Sequence, residues 1–182
     1  MEAWRLASQS QFPDSWRKNL DFLVKLRNVW KYDFVTTGNT AYSPNISFSP
    51  TSLFKVDDDI LEQMRNTFNS SVRTDFLKSL GNDPNIIPMI KKAEFDESEI
   101  PSLVQRLQNG YGIPGYQVHH KIPLDLGGSN ALSNLVLIKQ TPYHSAITSY
   151  HNAVIKRIIT TDPQVLDFPS IRGNFYSPPY IE

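Results

Sequence analysis

The chain has 182 residues, with 18 Lys and Arg balanced by 18 Asp and Glu, four His and no Cys. That length suits one domain, or one compact domain carrying an extra subregion, and 40% apolar content supplies a core. Zero formal charge excludes a strongly basic, histone-like binder, and zero Cys removes disulfide scaffolds, Cys-ligated zinc, iron–sulfur clusters and thiol nucleophiles together. Any metal must then rest on His, Asp, Glu or neutral oxygen ligands.

No apolar run approaches the roughly 20 residues that span a bilayer, so no membrane insertion is expected. The start, Met1-Glu2-Ala3-Trp4-Arg5, lacks the basic and apolar regions of a secretory leader. In chain order, Asp14 or Ser15 caps a helix that carries Trp16, Leu20, Leu23, Val24, Leu26, Val29 and Trp30, with Phe22 partly off the stripe. Residues 34–55 are rich in Thr, Asn, Ser, Gly and Pro. A short strand at Ile46-Ser47-Phe48 fits there, but turns are the stronger reading. Asp57-Asp58-Asp59 is expected to cap a second helix, since carboxylates favour a helix N-terminus. A third helix near 71–80 is stopped by Gly81, and Asn82-Asp83-Pro84-Asn85 forms a turn. A fourth, near 100–109, opens on Pro101 and closes on Asn109-Gly110. Residues 1–110 thus read as mostly helical, without recognisable chemistry.

All four histidines fall between 119 and 151. Tyr116 to His120 is strand-like and ends at Pro123. Gly127-Gly128-Ser129-Asn130 is a turn, and Leu135 to Ile138 a second short strand that pairs with the first. Gly127 and Gly128 are expected to permit positive φ in the connection. Thr141 then caps a helix with Pro142 at its first position, running to about Ile159. On that helix His144, Thr148 and His151 share one face, with His151 about 10 Å beyond His144 along the axis. An ion reached by His144 near the hairpin would therefore need special geometry to be reached by His151. The tail from 161 to 182, with Pro163, Pro169, Pro178 and Pro179, reads as irregular and extended.

His119-His120, then Asn134 after thirteen intervening residues, then His144 after nine more, resembles the motif of the HNH nucleases. These are ββα-metal (His-Me finger) enzymes that cut phosphodiester bonds with one divalent ion. The opening Val118-His119-His120-Lys121 and the later Tyr143-His144 are most similar to toxin-type domains of bacterial Rhs and type VI secretion effectors. The likeness covers residues 111–160, under a third of the chain.

Together with the helical reading of 1–110 and the irregular tail, the resemblance implies an α+β fold with a ββα-metal core over 111–160, all in one compact unit. It implies His120 as general base, Asn134 as the residue bracing the loop behind it, and His119 and His144 as metal ligands. Thr148 stands where colicin-type members carry a third His, which favours Mg²⁺ or Mn²⁺ and leaves Zn²⁺ or Ni²⁺ as further candidates. His151, Thr148 and Lys121 are candidates to bind phosphate or to support a ligand from behind. Asp125 is a loop residue with a further candidate role facing His119.

Residues 111–160 carry Lys121, Lys139, Lys156 and Arg157 against only Asp125, a local excess of three positive charges suited to phosphates rather than to base sequence. Tyr111, Tyr116 and Tyr143 are candidates to stack on bases, with core packing favoured for at least two. The expected activity is hydrolysis of DNA with low sequence specificity. The implied setting is the toxin domain of an antibacterial effector, part of a larger delivery protein, acting in the target-cell cytoplasm and partnered by an immunity protein. The competing readings are a ribonuclease toxin, a restriction or phage-type nuclease, which would work in the cytoplasm of its own cell, and a noncatalytic nucleic-acid-binding module of the same fold.

Overall fold

Strand β1, Ile46–Leu53, runs where serine, threonine and proline pointed to turns. Its partner is β4, Gln164–Ile171, antiparallel from Ile46↔Ile171 to Leu53↔Gln164. Each strand contains a proline, Pro50 opposite Asp167 and Pro169 opposite Phe48. A two-stranded ribbon tolerates them, because both strands keep an open edge where a missing N–H costs no ladder bond. The residues paired in this ribbon lie 111 to 125 positions apart, so no local pattern announces it. The same pairing corrects the expectation of an irregular tail: Phe168 and Ile171 are buried, and β5, Phe175–Tyr176, also packs inward. The computed structural model describes residues 46–93 and 95–176; the helix expected over 14–31, and Pro178 and Pro179, lie outside them.

Helix α1, Asp58–Thr67, begins as its acidic triplet predicts. Asp57 Oδ1 accepts the N–H groups of Asp59 and Ile60 at 3.0 and 3.4 Å, and Asp58 and Asp59 fill the first turn. The expected third helix does not start afresh. The chain continues from α1 through a π turn, Phe68–Val72, into α2, Arg73–Gly81. Gly81 has no positive φ and lies within α2 rather than after it. Glycine is required there because a Cβ would collide with the backbone of Leu107 and Gln108 on a neighbouring helix. The turn at 82–85 leads into α3, Ile86–Lys91, an unexpected helix too short for a periodic pattern to register. Helix α4, Ile100–Gln108, has Pro101 in its first turn and is followed by Gly110 at φ +80°.

These helices pack on a three-stranded sheet of order β2-β3-β5. Strand β2, Tyr116–His120, pairs antiparallel with β3, Leu135–Lys139, in the register Tyr116↔Lys139 to His120↔Leu135. Strand β5 lies parallel to β3 on its other edge. Phe76, Leu77 and Leu80 of α2, Leu103 and Leu107 of α4, and Tyr116, Leu135, Leu137 and Phe175 of the sheet form the main core. A smaller core joins Val56, Leu61 and Leu124, with Phe54 and Met64 packed against it.

After β3 a π turn, Gln140–His144, feeds helix α5, Ser145–Ile155. The helix therefore ends four residues short of the expected Ile159, which is exposed. The described residues form an α+β arrangement of helices and small sheets. Among them no helix is long and apolar enough to cross a membrane.

Candidate functional site

Successive side chains of a strand leave opposite faces, and at the end of β2 this separates His119 from His120. His119 turns toward α5. Its ring centroid is 4.9 Å from that of His144, edge-on at 90°, and 4.9 Å from that of His151, stacked at 21°. His119 Nε2 and His151 Nδ1 are 3.2 Å apart. His151 is buried and stacks on Phe168 of β4 at 5.0 Å. Thr148 Oγ1 stands 3.5 Å from His144 Nε2, within the same helix face. His144 and His151 are a helical span apart, but β2 lays His119 across α5 between them, so one imidazole touches both.

Burial governs the electrostatics of this group. Desolvation holds the His119 imidazole far below its ordinary pKa, and the neighbouring His151, His144 and His120 push it in the same direction. His151 is lowered by burial first and then by His144, and His144 by burial. All three are therefore neutral at pH 7, the form in which an imidazole nitrogen binds a metal.

His120 faces the other way. Its Nε2 is 3.0 Å from Asn130 Oδ1, and its ring lies 4.5 Å from the Phe68 ring. Burial lowers its pKa, opposed by the bond to Asn130 and by the charge of Asp125. Asp125 itself is ion-paired to Arg65 of α1 at 2.8 Å. Its field acts on His120, not on His119 as the sequence reading allowed. Lys121 donates to the Ser133 carbonyl at 2.7 Å, and partial burial lowers its pKa.

Asn134 closes the connection between the strands. Its Oδ1 accepts the Ile122 N–H at 2.9 Å, while its Nδ2 donates to the carbonyls of Ile122 at 3.0 Å and Ser129 at 2.8 Å. These bonds fix the backbone two residues beyond His120. Gly127 takes φ +87°, as expected for the turn. Gly128 does not have positive φ; a Cβ there would fall on the Ile122 carbonyl oxygen, so its glycine serves close approach.

The resemblance implies a divalent ion, and the donor set can be tested for it. Metal–nitrogen bonds of about 2.1 Å place two ligand nitrogens about 3.0 Å apart at a right angle and about 3.4 Å apart at a tetrahedral angle. The 3.2 Å between His119 Nε2 and His151 Nδ1 falls within that span. The fit is one of a nitrogen pair: among the described residues no three His, Asp or Glu side chains converge as a complete cage. Imidazole donors of this kind suit Zn²⁺ or Ni²⁺ better than Mn²⁺ or Mg²⁺, which take oxygen ligands more readily.

Of the aromatic candidates, Tyr116 and Tyr143 are buried in the core and Tyr111 is 64% exposed. Three residues of the site carried no chemical signal in the sequence. Asn130 was legible only as part of a turn, and Phe68 and Phe168 only as apolar residues. Their roles come from distant segments folding against β2 and α5.

No family model and no solved structure matches the chain. It is similar to a protein of Escherichia coli strain K12 described as the uncharacterized protein YhhZ, with 31% identity over 118 residues. That alignment takes in 65% of this chain and 28% of the relative, so the chain corresponds to little more than a quarter of the relative's length.

Proposed function

We propose that the chain is a metal-dependent endonuclease of the HNH type, built on a ββα-metal core over residues 111–160, that hydrolyses DNA with low sequence specificity. One observation carries the reading. Adjacent histidines at the end of β2 divide into an imidazole group, His119 with His144 and His151, and a separate imidazole, His120, held by one nitrogen.

In this mechanism His119 would hold the divalent ion with one partner imidazole, His144 as the resemblance implies or His151, whose Nδ1 lies 3.2 Å from His119 Nε2. The ion, when bound, supplies positive charge to the phosphate oxygens under attack. His120, neutral at pH 7, accepts a proton from water as the water oxygen bonds to phosphorus, while the phosphorus–oxygen bond to the leaving strand end breaks and the departing oxygen takes a proton from solvent. Asn134 holds the Ile122 backbone, and with it the end of the strand that presents His120. Lys121, Lys139, Lys156 and Arg157 counter the charge of the nucleic-acid backbone without selecting bases.

The biological setting in this reading is a toxin domain within a larger delivered effector, acting in the target-cell cytoplasm and neutralised by an immunity protein. The longer E. coli relative, of which this chain matches little more than a quarter, supports a module carried in a larger polypeptide. The decisive experiment incubates the folded protein with supercoiled plasmid and with RNA, across Mn²⁺, Mg²⁺, Zn²⁺ and Ni²⁺. Plasmid degradation that EDTA stops and His120→Ala abolishes is the expected result. Intact plasmid across the whole panel would rule the reading out, and cleavage of RNA alone would replace it with a ribonuclease.

A further inference from the structure

The residues before the histidine motif show no chemistry in the sequence, yet two of them reach toward His120. The carbonyl of Met64, in the last turn of α1, accepts Asn130 Nδ2 at 2.8 Å. An amide nitrogen committed to a carbonyl leaves Oδ1 as the atom that meets His120 Nε2 at 3.0 Å. An acceptor oxygen in that position requires hydrogen on Nε2, so the neutral ring keeps its lone pair on Nδ1. The same Met64 carbonyl also accepts the Phe68 N–H, and the Phe68 ring lies 4.5 Å from the imidazole at 54°. Phe68 is the first residue of the π turn, a rare element found often at functional sites.

We infer that Asn130 is a positioning residue for His120: oriented by the Met64 carbonyl, it holds the imidazole in the Nε2–H tautomer and, with Phe68, presents Nδ1 as the nitrogen that takes the proton. This rests on the nuclease reading above and assigns the helical segment 58–72 to the support of the reacting base. Replacing the amide with an apolar group of similar size removes the acceptor while keeping the packing.

The test uses the full chain and Asn130→Leu. Turnover of plasmid by the variant is expected to fall about 10- to 100-fold. KM and calorimetric Mn²⁺ affinity should stay within about twofold, which a general loss of structure would not allow. In ¹H–¹⁵N spectra of the metal-free wild type, His120 should show a slowly exchanging proton on Nε2 that disappears in the variant. Unchanged turnover in folded Asn130→Leu would overturn the role of Asn130 while leaving the nuclease reading intact. A wild-type proton on Nδ1 would overturn the role too, even if the variant does not fold. A wild type that cleaves no nucleic acid sinks both readings together.

Discussion

His119 Nε2 of strand β2 lies 3.2 Å from His151 Nδ1 of helix α5, two imidazoles 32 residues apart whose rings stack at 21°. Without an ion the contact is held by one N–H donating to the other ring's lone pair. In the proposed nuclease both nitrogens would become ligands of the ion. His151→Leu keeps an apolar face against Phe168 and removes the nitrogen. Mn²⁺ affinity, measured by calorimetry, should fall about 10- to 100-fold, and His119→Ala should remove binding altogether. Equal affinity in wild type and His151→Leu would take His151 out of the site.

Burial sets a pH dependence on folding. The His119 and His151 imidazoles are held well below the ordinary value of about 6.5 in the folded protein, mainly by desolvation. Below pH 6.5 the unfolded chain takes up these protons and the folded chain does not. Stability is therefore full above about pH 6.5 and falls as pH drops, by up to about 1.4 kcal/mol per pH unit for each histidine. Urea denaturation of the metal-free protein at pH 7.5, 6.0 and 5.0 should show a falling midpoint. A midpoint constant over that range would contradict the burial of these rings.

Asn134 makes three side-chain bonds across the β2–β3 connection. Asn134→Ala leaves the Ile122 N–H and carbonyl without that partner and should cost about 1–3 kcal/mol in denaturant unfolding, alongside a loss of cleavage. A variant that keeps wild-type stability and activity would show that the connection holds its shape without the amide.

Glycine roles separate cleanly by substitution. Gly128→Ala drives a methyl into the Ile122 carbonyl that Asn134 binds, and should cost more than about 2 kcal/mol or prevent folding. Gly112→Ala meets nothing within 4 Å and has no positive φ, so it should stay within about 0.5 kcal/mol of wild type. Comparable melting temperatures for the two variants would contradict the close approach at Gly128.

Local signals were legible wherever the cause was local. Asp57 caps α1, Pro101 and Gly110 bracket α4, and β2 and β3 pair as their apolar runs require. The candidate residues His119, His120, Asn134, His144, Thr148 and His151 were also legible, through the resemblance that their order and spacing carry. What stayed hidden depends on segments far apart in the chain. The ribbon of β1 with β4, the stacking of Phe168 on His151, and the hold of Met64, Phe68 and Asn130 on His120 are all of this kind. The sequence by itself determined which side chains were available and on which short elements they ride. Only the tertiary structure decided that His119 lies between His144 and His151 while His120 meets Asn130 and Phe68, because pairing and packing partners are chosen by three-dimensional fit rather than by neighbours in the chain.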